Sequence, residues 1–184
     1  MSKAVLMSIQ PKWVEKIASG EKTIEVRKTK PKLETPFKVY IYCTKYGLVI
    51  YGNGKQYVTD SCEFLKGSAV EAFENSSGFY KWNGKVIGEF ICDRIAGEGE
   101  TIRGNACLTV EELQDYCNGK DLYFWRISDL KIYDKPKELS EFKRWNRTED
   151  NAPCAHTKWL YPDCKDCTAC NLKRPPQSWC YVED

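Results

Sequence analysis

The stretch Gly20-Glu21-Lys22-Thr23-Ile24-Glu25-Val26-Arg27 decides how this chain begins to fold. Its glycine is predicted to end a helix that opens at Pro11, because proline suits the first helical position and glycine the position after the last. The residues after the glycine alternate with a period of two, which predicts a strand. The isoleucine and valine of that strand then face one side, and its threonine, glutamate and arginine face the other.

Strands are predicted on both sides of this stretch. Ala4–Ile9 forms a short strand before the helix, and Phe37–Thr44 alternates after it. In the second of these, one face carries Phe37, Val39, Ile41 and Cys43, and the other carries Lys38, Tyr40, Tyr42 and Thr44. Lys85–Ile95 is apolar on both faces, and Gly88 within it indicates a bulge or a close backbone approach.

The remaining chain favours short elements of mixed type. Residues 46–83 resemble a hairpin-like insertion with one short helix near Ser68–Phe73. A capping box opens at Thr109 and predicts a helix over Val110–Cys117. Strands are predicted over Leu122–Tyr133 and Ser178–Val182. Because the strands lack regular βαβ alternation, the sequence predicts an α+β fold, a small and mostly antiparallel barrel with helices at its edges.

Composition excludes several classes of protein. The chain has 184 residues, of which 29% are charged, and its aromatic content argues against disorder. No apolar run approaches the roughly 20 residues of a membrane span, and the N-terminal residues lack the apolar core of a signal peptide. We therefore expect a soluble, cytoplasmic protein that does not engage a membrane.

Charge is unevenly distributed along the chain. Residues 1–45 hold ten Lys and Arg against four Asp and Glu, whereas residues 46–134 hold nine against fourteen. A basic surface attracts phosphate by Coulomb attraction and by counterion release. The bias indicates either an ordinary solvated surface or a nucleic-acid partner.

Lys22, Glu25 and Arg27 form the first candidate site. The strand pattern places Glu25 and Arg27 on one face, with Lys22 at the turn before them. Such a set has two possible arrangements. It forms a salt bridge on a solvent-exposed face of the strand, or it lines a cleft, where the cations hold a phosphate or carbonyl and the glutamate moves a proton. Tyr40 and Tyr42 on the next strand offer stacking surfaces for a base, or pack across strands.

The pattern G-x-K-x-x-E-x-R in residues 20–27 resembles the signature of the ASCH family, a branch of the PUA-like superfamily. Leu6-Met7-Ser8-Ile9-Gln10-Pro11 resembles the family's first strand and turn. Residues 38–43 and 84–90 are similar to its later core strands. Residues 174–183 resemble the terminal strand of phage and Firmicute-type members.

This resemblance implies a PUA-like β-barrel with a cleft beside the first helix, in which RNA or a nucleotide binds. Our candidate catalytic set is Lys22, Glu25 and Arg27, and our candidate binding set is Gln10, Lys22, Arg27, Lys28, Tyr40 and Tyr42. Some similar proteins are amidohydrolases acting on N4-acetylcytidine, and others are ribonucleases. In the amidohydrolase branch the position of Glu25 is a threonine nucleophile, so this chain departs there, and a carboxylate would instead act as general base on water.

Cysteines form the second candidate site. Five of the ten (Cys43, Cys62, Cys92, Cys107 and Cys117) are dispersed, and we interpret them as inert core residues. The others crowd into residues 154–180, where the C-x2-C spacings suit tetrahedral zinc. The predicted structural zinc ligands are Cys154, Cys164, Cys167 and Cys170. His156 is the alternate fourth ligand, Cys180 is expected to pack in the core, and an iron–sulfur cluster or free thiols remain alternatives.

These observations predict an ASCH-like domain over residues 1–145 plus 174–184, with a Cys-rich zinc-stapled insertion over residues 146–173. Three functions fit. The first is binding of RNA or a nucleotide in the Lys22 cleft. The second is hydrolysis of a modified nucleoside or an RNA linkage, and the third is a zinc-stapled interaction protein without chemistry.

Overall fold

The computed structural model describes residues 2–45, 48–52, 55–59, 82, 84–97, 99–145 and 170–184, with the backbone alone in 48–52 and 55–59. The helices are α1 Pro11–Ala18 and α2 Val110–Cys117, and a 3₁₀ turn covers Leu139–Glu141. The strands are β1 Lys3–Ile9, β2 Ile24–Arg27, β3 Phe37–Cys43, β4 Leu48–Gly52, β5 Lys55–Thr59, β6 Lys85–Cys92, β7 Ile95–Ala96, β8 Tyr123–Arg126, β9 Ser128–Glu138 and β10 Trp179–Glu183.

The described strands form three sheets. The largest has the order β10-β1-β3-β6-β9, a second has the order β2-β8-β7, and β4 pairs with β5 as a hairpin. Only β1 and β3 run parallel among these pairs, because α1 and β2 form the crossover between them. The α+β class is therefore confirmed.

The prediction of a closed barrel is wrong for the described part of the chain. The five-stranded sheet has β10 at one edge and β9 at the other, and β2 pairs with β8 in a separate sheet. The sequence predicted most of the residues that form strands, although the strand region predicted over Leu122–Tyr133 is two strands, β8 and β9, in different sheets. It did not show which strand edges meet, and that depends on contacts between distant residues.

Local signals placed both helices correctly. Helix α1 starts at Pro11 and is capped at Ser19, and Gly20 follows with a φ of 78°, a conformation that glycine adopts without strain. Helix α2 has the predicted capping box, in which Thr109 accepts from the backbone of Glu112 and the Glu112 side chain accepts from Thr109. The expected hairpin is present as β4 and β5, whereas the short helix expected near Ser68–Phe73 lies outside the described residues.

Both faces of β3 are buried. The first core holds the face of Val39, Ile41 and Cys43 against α1, as the alternation predicts. The opposite face, expected to be polar, packs into a second core in which Tyr40 and Tyr42 meet side chains from distant segments. These distant side chains are Leu139, Phe142, Leu172 and Val182. The alternation therefore gave the two faces correctly but not what covers the second one.

The dispersed cysteines divide into two groups. Cys43 and Cys92 are fully buried, and burial raises the pKa of each thiol to about 12, which confirms the interpretation of inert core residues. Cys107 and Cys117 are partly exposed in the segments around α2, so for them that interpretation is wrong. Cys62 lies outside the described residues. Cys180 packs against the second core, as expected.

Gly88 allows β6 and β9 to approach each other, as the sequence predicted. The pairing of these strands shifts register between Val86 and Gly88, and a Cβ at Gly88 would overlap the backbone carbonyl oxygen of Lys131. Because a carbonyl of a paired strand cannot move aside alone, a side chain here must separate the two strands.

We predict that Gly88→Ala lowers the free energy of unfolding by about 1–3 kcal/mol, the usual cost of forcing extra volume into a packed site. Urea denaturation followed by far-UV circular dichroism measures this. Gly97→Ala is the matched control, because a Cβ at Gly97 meets nothing closer than Glu100 Oε1 at 3.8 Å. Equal midpoints for the two variants would contradict the close approach.

Candidate functional site

A cleft of about 570 Å³ lies between α1, β2 and α2. Its lining includes Lys22, Glu25 and Arg27 from the signature, Trp13 from α1, and Tyr116 from α2. The three charged groups therefore line one cleft, as predicted, and the alternative of a salt bridge on a solvent-exposed strand face is wrong. Their catalytic and binding roles remain predictions.

The turn after α1 brings Lys22 to the start of β2. The Lys22 backbone N–H donates to the carbonyl of Lys16, which closes the helix end, and Thr23 and Ile24 donate to the carbonyl of Asn105. The Lys22 ammonium donates to the next carbonyl in that loop, Ala106 O, at 2.6 Å. The loop before α2 is thus fastened to the strand that carries the charged residues.

Glu25 lies between the two cations. Its Oε1 is 2.9 Å from a terminal nitrogen of Arg27, and its Oε2 is 3.5 Å from Lys22 Nζ. The same Arg27 nitrogen donates to the carbonyl of Ser8 at 2.7 Å, which ties β2 to β1. The relative exposure is 2% for Lys22, 6% for Glu25 and 8% for Arg27, so the network is almost completely removed from water.

The burial of Lys22 changes its proton affinity. Desolvation lowers the pKa of the Lys22 ammonium, and this outweighs the neighbouring Glu25 carboxylate, which acts in the opposite direction. The Lys22 Nζ also lies 5.1 Å from the centroid of the Trp13 ring, in cation–π range. A lysine in such surroundings releases its proton more readily than one on the surface.

Two atoms of this network have unused hydrogen-bonding capacity. Glu25 Oε2 and Arg27 Nε are buried and have no hydrogen-bond partner among the described residues. Leaving a buried polar atom without a hydrogen bond costs free energy, so two such atoms on residues that line a cleft make it a candidate ligand site.

Helix α2 supplies a wall of the cleft that the sequence did not reveal. Glu112, Asp115 and Tyr116 line the cleft and are spaced so that they share one helical face. None of the residues of α2 is buried, so this helix rests over the cleft rather than in a core. The spacing of residues in α2 did not show which face of this helix would lie near β2, because the two segments are about 85 residues apart in the chain.

The structure brings two of the other predicted binding residues to the cleft. Gln10 lines it at the start of α1. The Nζ of Lys28 lies 4.8 Å from the ring centroid of Tyr116, at the cleft's α2 wall.

Tyr40 and Tyr42 lie elsewhere. The Tyr40 hydroxyl donates to Asp184 Oδ1 at 2.7 Å, and its ring packs edge-on against Phe142 with centroids 4.8 Å apart. Tyr42 borders a separate cavity of about 1040 Å³ that shares no lining residue with the Lys22 cleft. Their side chains point to the second core because alternate residues of β3 face opposite sides of the sheet.

The predicted zinc ligands Cys154, Cys164 and Cys167 and the alternate His156 lie outside the described residues. Cys170 is described and buried, and its carbonyl accepts from the backbone of Arg144. Among the described residues, no group of three or more His, Cys, Asp or Glu side chains is placed to hold a metal. A search of the same residues for a helix long and apolar enough to cross a membrane finds none.

Comparison with known proteins confirms the resemblance in part. Residues 7–91 match the model of the ASCH domain family, whereas no curated protein matches the chain. A solved point mutant of the ASCH protein from Zymomonas mobilis is 18% identical, covers 76% of this chain and 78% of its own, and has a TM-score of 0.47. The solved structure of ASCH from Zymomonas mobilis is 17% identical over 75% of each chain, with a TM-score of 0.46. The phage or Firmicute subtype remains a prediction.

We predict that Glu25→Ala lowers the free energy of unfolding by about 3–5 kcal/mol, because it leaves two buried cations without their shared carboxylate. The loss should shrink as the pH rises from 7 towards 10. Burial lowers the Lys22 pKa and Glu25 raises it, so the Lys22 pKa is lower still in the folded variant. The unfolded chain binds more protons than the folded variant in that interval, so the stability of the variant rises with pH more steeply than that of wild type.

Urea denaturation at several pH values measures both effects. Glu21→Ala is the control, because Glu21 pairs with Lys16 at 2.8 Å on the exposed surface, and its loss should leave stability nearly unchanged. Equal effects of the two substitutions would show that the Glu25 network contributes no more than a surface ion pair.

Proposed function

We propose that this chain, which matches the ASCH domain family over residues 7–91, binds RNA or a nucleotide in the cleft of Lys22, Glu25 and Arg27. The observation that carries the proposal is a pair of buried polar atoms that lack a hydrogen-bond partner among the described residues. They are Arg27 Nε and Glu25 Oε2, and the latter has only the Lys22 ammonium at 3.5 Å. One is an acceptor and the other a donor, so the group that completes them carries both kinds of atom. A nucleobase edge has this property.

The size and lining of the cleft support a ligand of this kind. Its volume of about 570 Å³ falls within the range of small-molecule sites, which is roughly 300–1,000 Å³. Trp13 and Tyr116 provide aromatic surface on which a base can stack. Lys12 also lines the cleft and adds a cation for a phosphate.

The acidic residues of the cleft restrict the pose of the ligand. Asp115 and Glu112 line the α2 side, while the cations Lys22 and Arg27 lie at the β2 side. A carboxylate repels phosphate and accepts from N–H groups. The phosphate of a bound nucleotide is therefore directed away from α2, and the base amino groups towards it.

We predict that the wild-type chain binds ribonucleoside monophosphates or a mixed-sequence RNA octamer, and that Glu25→Gln and Tyr116→Ala each weaken binding about tenfold or more. Isothermal titration calorimetry with the four 5′-monophosphates and the octamer measures this. Tyr116→Ala is informative because Tyr116 is 38% exposed and its loss should not unfold the chain.

Glu100→Gln is the matched control, since Glu100 is exposed and does not line the cleft. Thermal melting of every variant separates lost binding from lost folding. If wild type binds neither probe, or if folded Glu25→Gln and Tyr116→Ala bind as well as wild type, the proposed function is wrong. The first of these outcomes favours an interaction protein without a nucleotide site.

Hydrolysis of a modified nucleoside or an RNA linkage is the second candidate function. The lowered pKa of Lys22 favours it, because a readily released proton suits acid–base catalysis. In an amide substrate such as N4-acetylcytidine, Glu25 would take a proton from the attacking water and Lys22 would give one to the leaving amine. Arg27 would stabilise the charge that develops on the carbonyl oxygen. Incubation with N4-acetylcytidine and with the RNA octamer, followed by product analysis, distinguishes turnover from binding. Turnover that survives Glu25→Gln rules this candidate out.

From the cysteine spacing we also propose one structural zinc ion held by Cys154, Cys164, Cys167 and Cys170. Mass spectrometry of the metal content should find about one zinc per chain, and Cys164→Ser should lose it together with stability. Cys107→Ser, outside the cluster, is the control and should keep the metal. Full zinc occupancy in Cys164→Ser, or iron in place of zinc, would contradict this assignment.

A further inference from the structure

The loop after β2 carries three lysines at alternate positions. Lys28-Thr29-Lys30-Pro31-Lys32 connects Arg27 to the region before β3, and Glu34 is the only carboxylate in residues 28–36. Lys30 and Lys32 are exposed, and Lys28 is half-buried. The segment is the most basic run of the described surface next to the cleft.

Aromatic residues hold this loop in place. The Trp179 indole N–H donates to Thr29 Oγ1 at 3.0 Å, and the Lys32 backbone N–H donates to the Tyr181 hydroxyl at 2.7 Å. Both aromatic residues belong to β10, and their rings pack edge-on with centroids 5.4 Å apart. The lysine loop is therefore fixed along the β10 edge of the sheet.

Two of the loop's three ammonium groups, those of Lys28 and Lys30, rest on rings rather than on carboxylates. Lys28 Nζ lies 4.8 Å from the ring centroid of Tyr116, and Lys30 Nζ lies 5.1 Å from that of Tyr123. A further lysine, Lys3, lies 4.9 Å from the Tyr181 ring. None of the ion pairs found in the described residues involves these lysines. A cation on an aromatic face keeps its charge available to an anion, whereas a salt bridge would neutralise it.

The loop is continuous with the cleft. Arg27 lines the cleft, Lys28 follows it directly, and the Tyr116 ring beneath Lys28 is part of the cleft wall. Tyr123, beneath Lys30, is the cross-strand partner of Arg27 in the pairing of β2 with β8. A chain of phosphates that leaves the cleft at Arg27 therefore meets Lys28 and then Lys30.

We propose that Lys28, Lys30 and Lys32 form a track for the phosphates of a single-stranded polynucleotide, one nucleotide of which occupies the cleft. This inference rests on the proposed function and identifies the ligand as a strand rather than a free nucleotide. From residue 28 to residue 32 the loop spans at most about 14 Å, which corresponds to roughly four stacked nucleotides at 3.4 Å each.

The test compares a ribonucleoside monophosphate, an RNA octamer and octaglutamate as probes, each titrated at 50 and 200 mM salt. The variant is Lys30→Ala with Lys32→Ala, which leaves every residue of the cleft in place. The matched control is Lys131→Ala with Lys135→Ala, which removes the same charge from exposed positions of β9, at the opposite edge of the five-stranded sheet.

Wild type should bind the octamer more tightly than the monophosphate, and the track variant should lose this advantage while binding the monophosphate as before. Each phosphate contact to a single strand contributes about 0.7 to the slope of log K against log salt concentration. Two lost contacts therefore reduce the slope by about 1.4, so between 50 and 200 mM salt the wild-type affinity falls about sevenfold more than that of the variant. The β9 control should behave as wild type.

The outcomes separate the two proposals. Unchanged octamer affinity and salt slope in the track variant would overturn the track while leaving the cleft intact. Octaglutamate binding that matches the octamer and depends on the same lysines would also overturn it, since the surface would then accept any acidic polymer. If wild type binds the octamer through these lysines but does not bind the monophosphate, the track is supported and only the proposed nucleotide site in the cleft is rejected.

Discussion

The placement of one carboxylate between two buried cations is the constraint on which this site depends. Glu25 pairs with both Lys22 and Arg27, and these two cations in turn donate to the carbonyls of Ala106 and Ser8. One small network therefore joins β2 to β1 and to the loop before α2. Because buried charges are costly when unpaired, the network positions these segments as well as the site.

The same network explains why the cleft has unused binding capacity. Glu25 has one well-bonded oxygen and one that lies 3.5 Å from Lys22, and Arg27 Nε has no hydrogen-bond partner in the part of the chain that the structure describes. A network that satisfied every atom would only stabilise the fold. This one is incomplete where it borders a cleft, and that is why we propose a ligand-binding role beside the structural one for the same side chains.

The surface around the cleft extends the charge pattern. The α2 side carries Asp115 and Glu112, whereas the chain beyond Arg27 carries Lys28 and then two more lysines. An anionic ligand is therefore favoured on the β2 side and disfavoured beneath α2. The aromatic residues of β10 hold the basic loop on that favourable side, although they belong to the distant C-terminal part of the chain.

The sequence by itself determined the local elements and the residue types of the site. Proline, glycine and a capping box set the ends of α1 and α2, period-two alternation set the two faces of β3, and the G-x-K-x-x-E-x-R pattern identified the charged residues. Only the tertiary structure decided that the sheets form no closed barrel within the described residues, that Tyr40 and Tyr42 face a second core, and that α2 covers the cleft. The physical reason is that caps and alternation act between neighbouring residues, whereas each of these outcomes depends on which distant apolar or charged surface covers a given face.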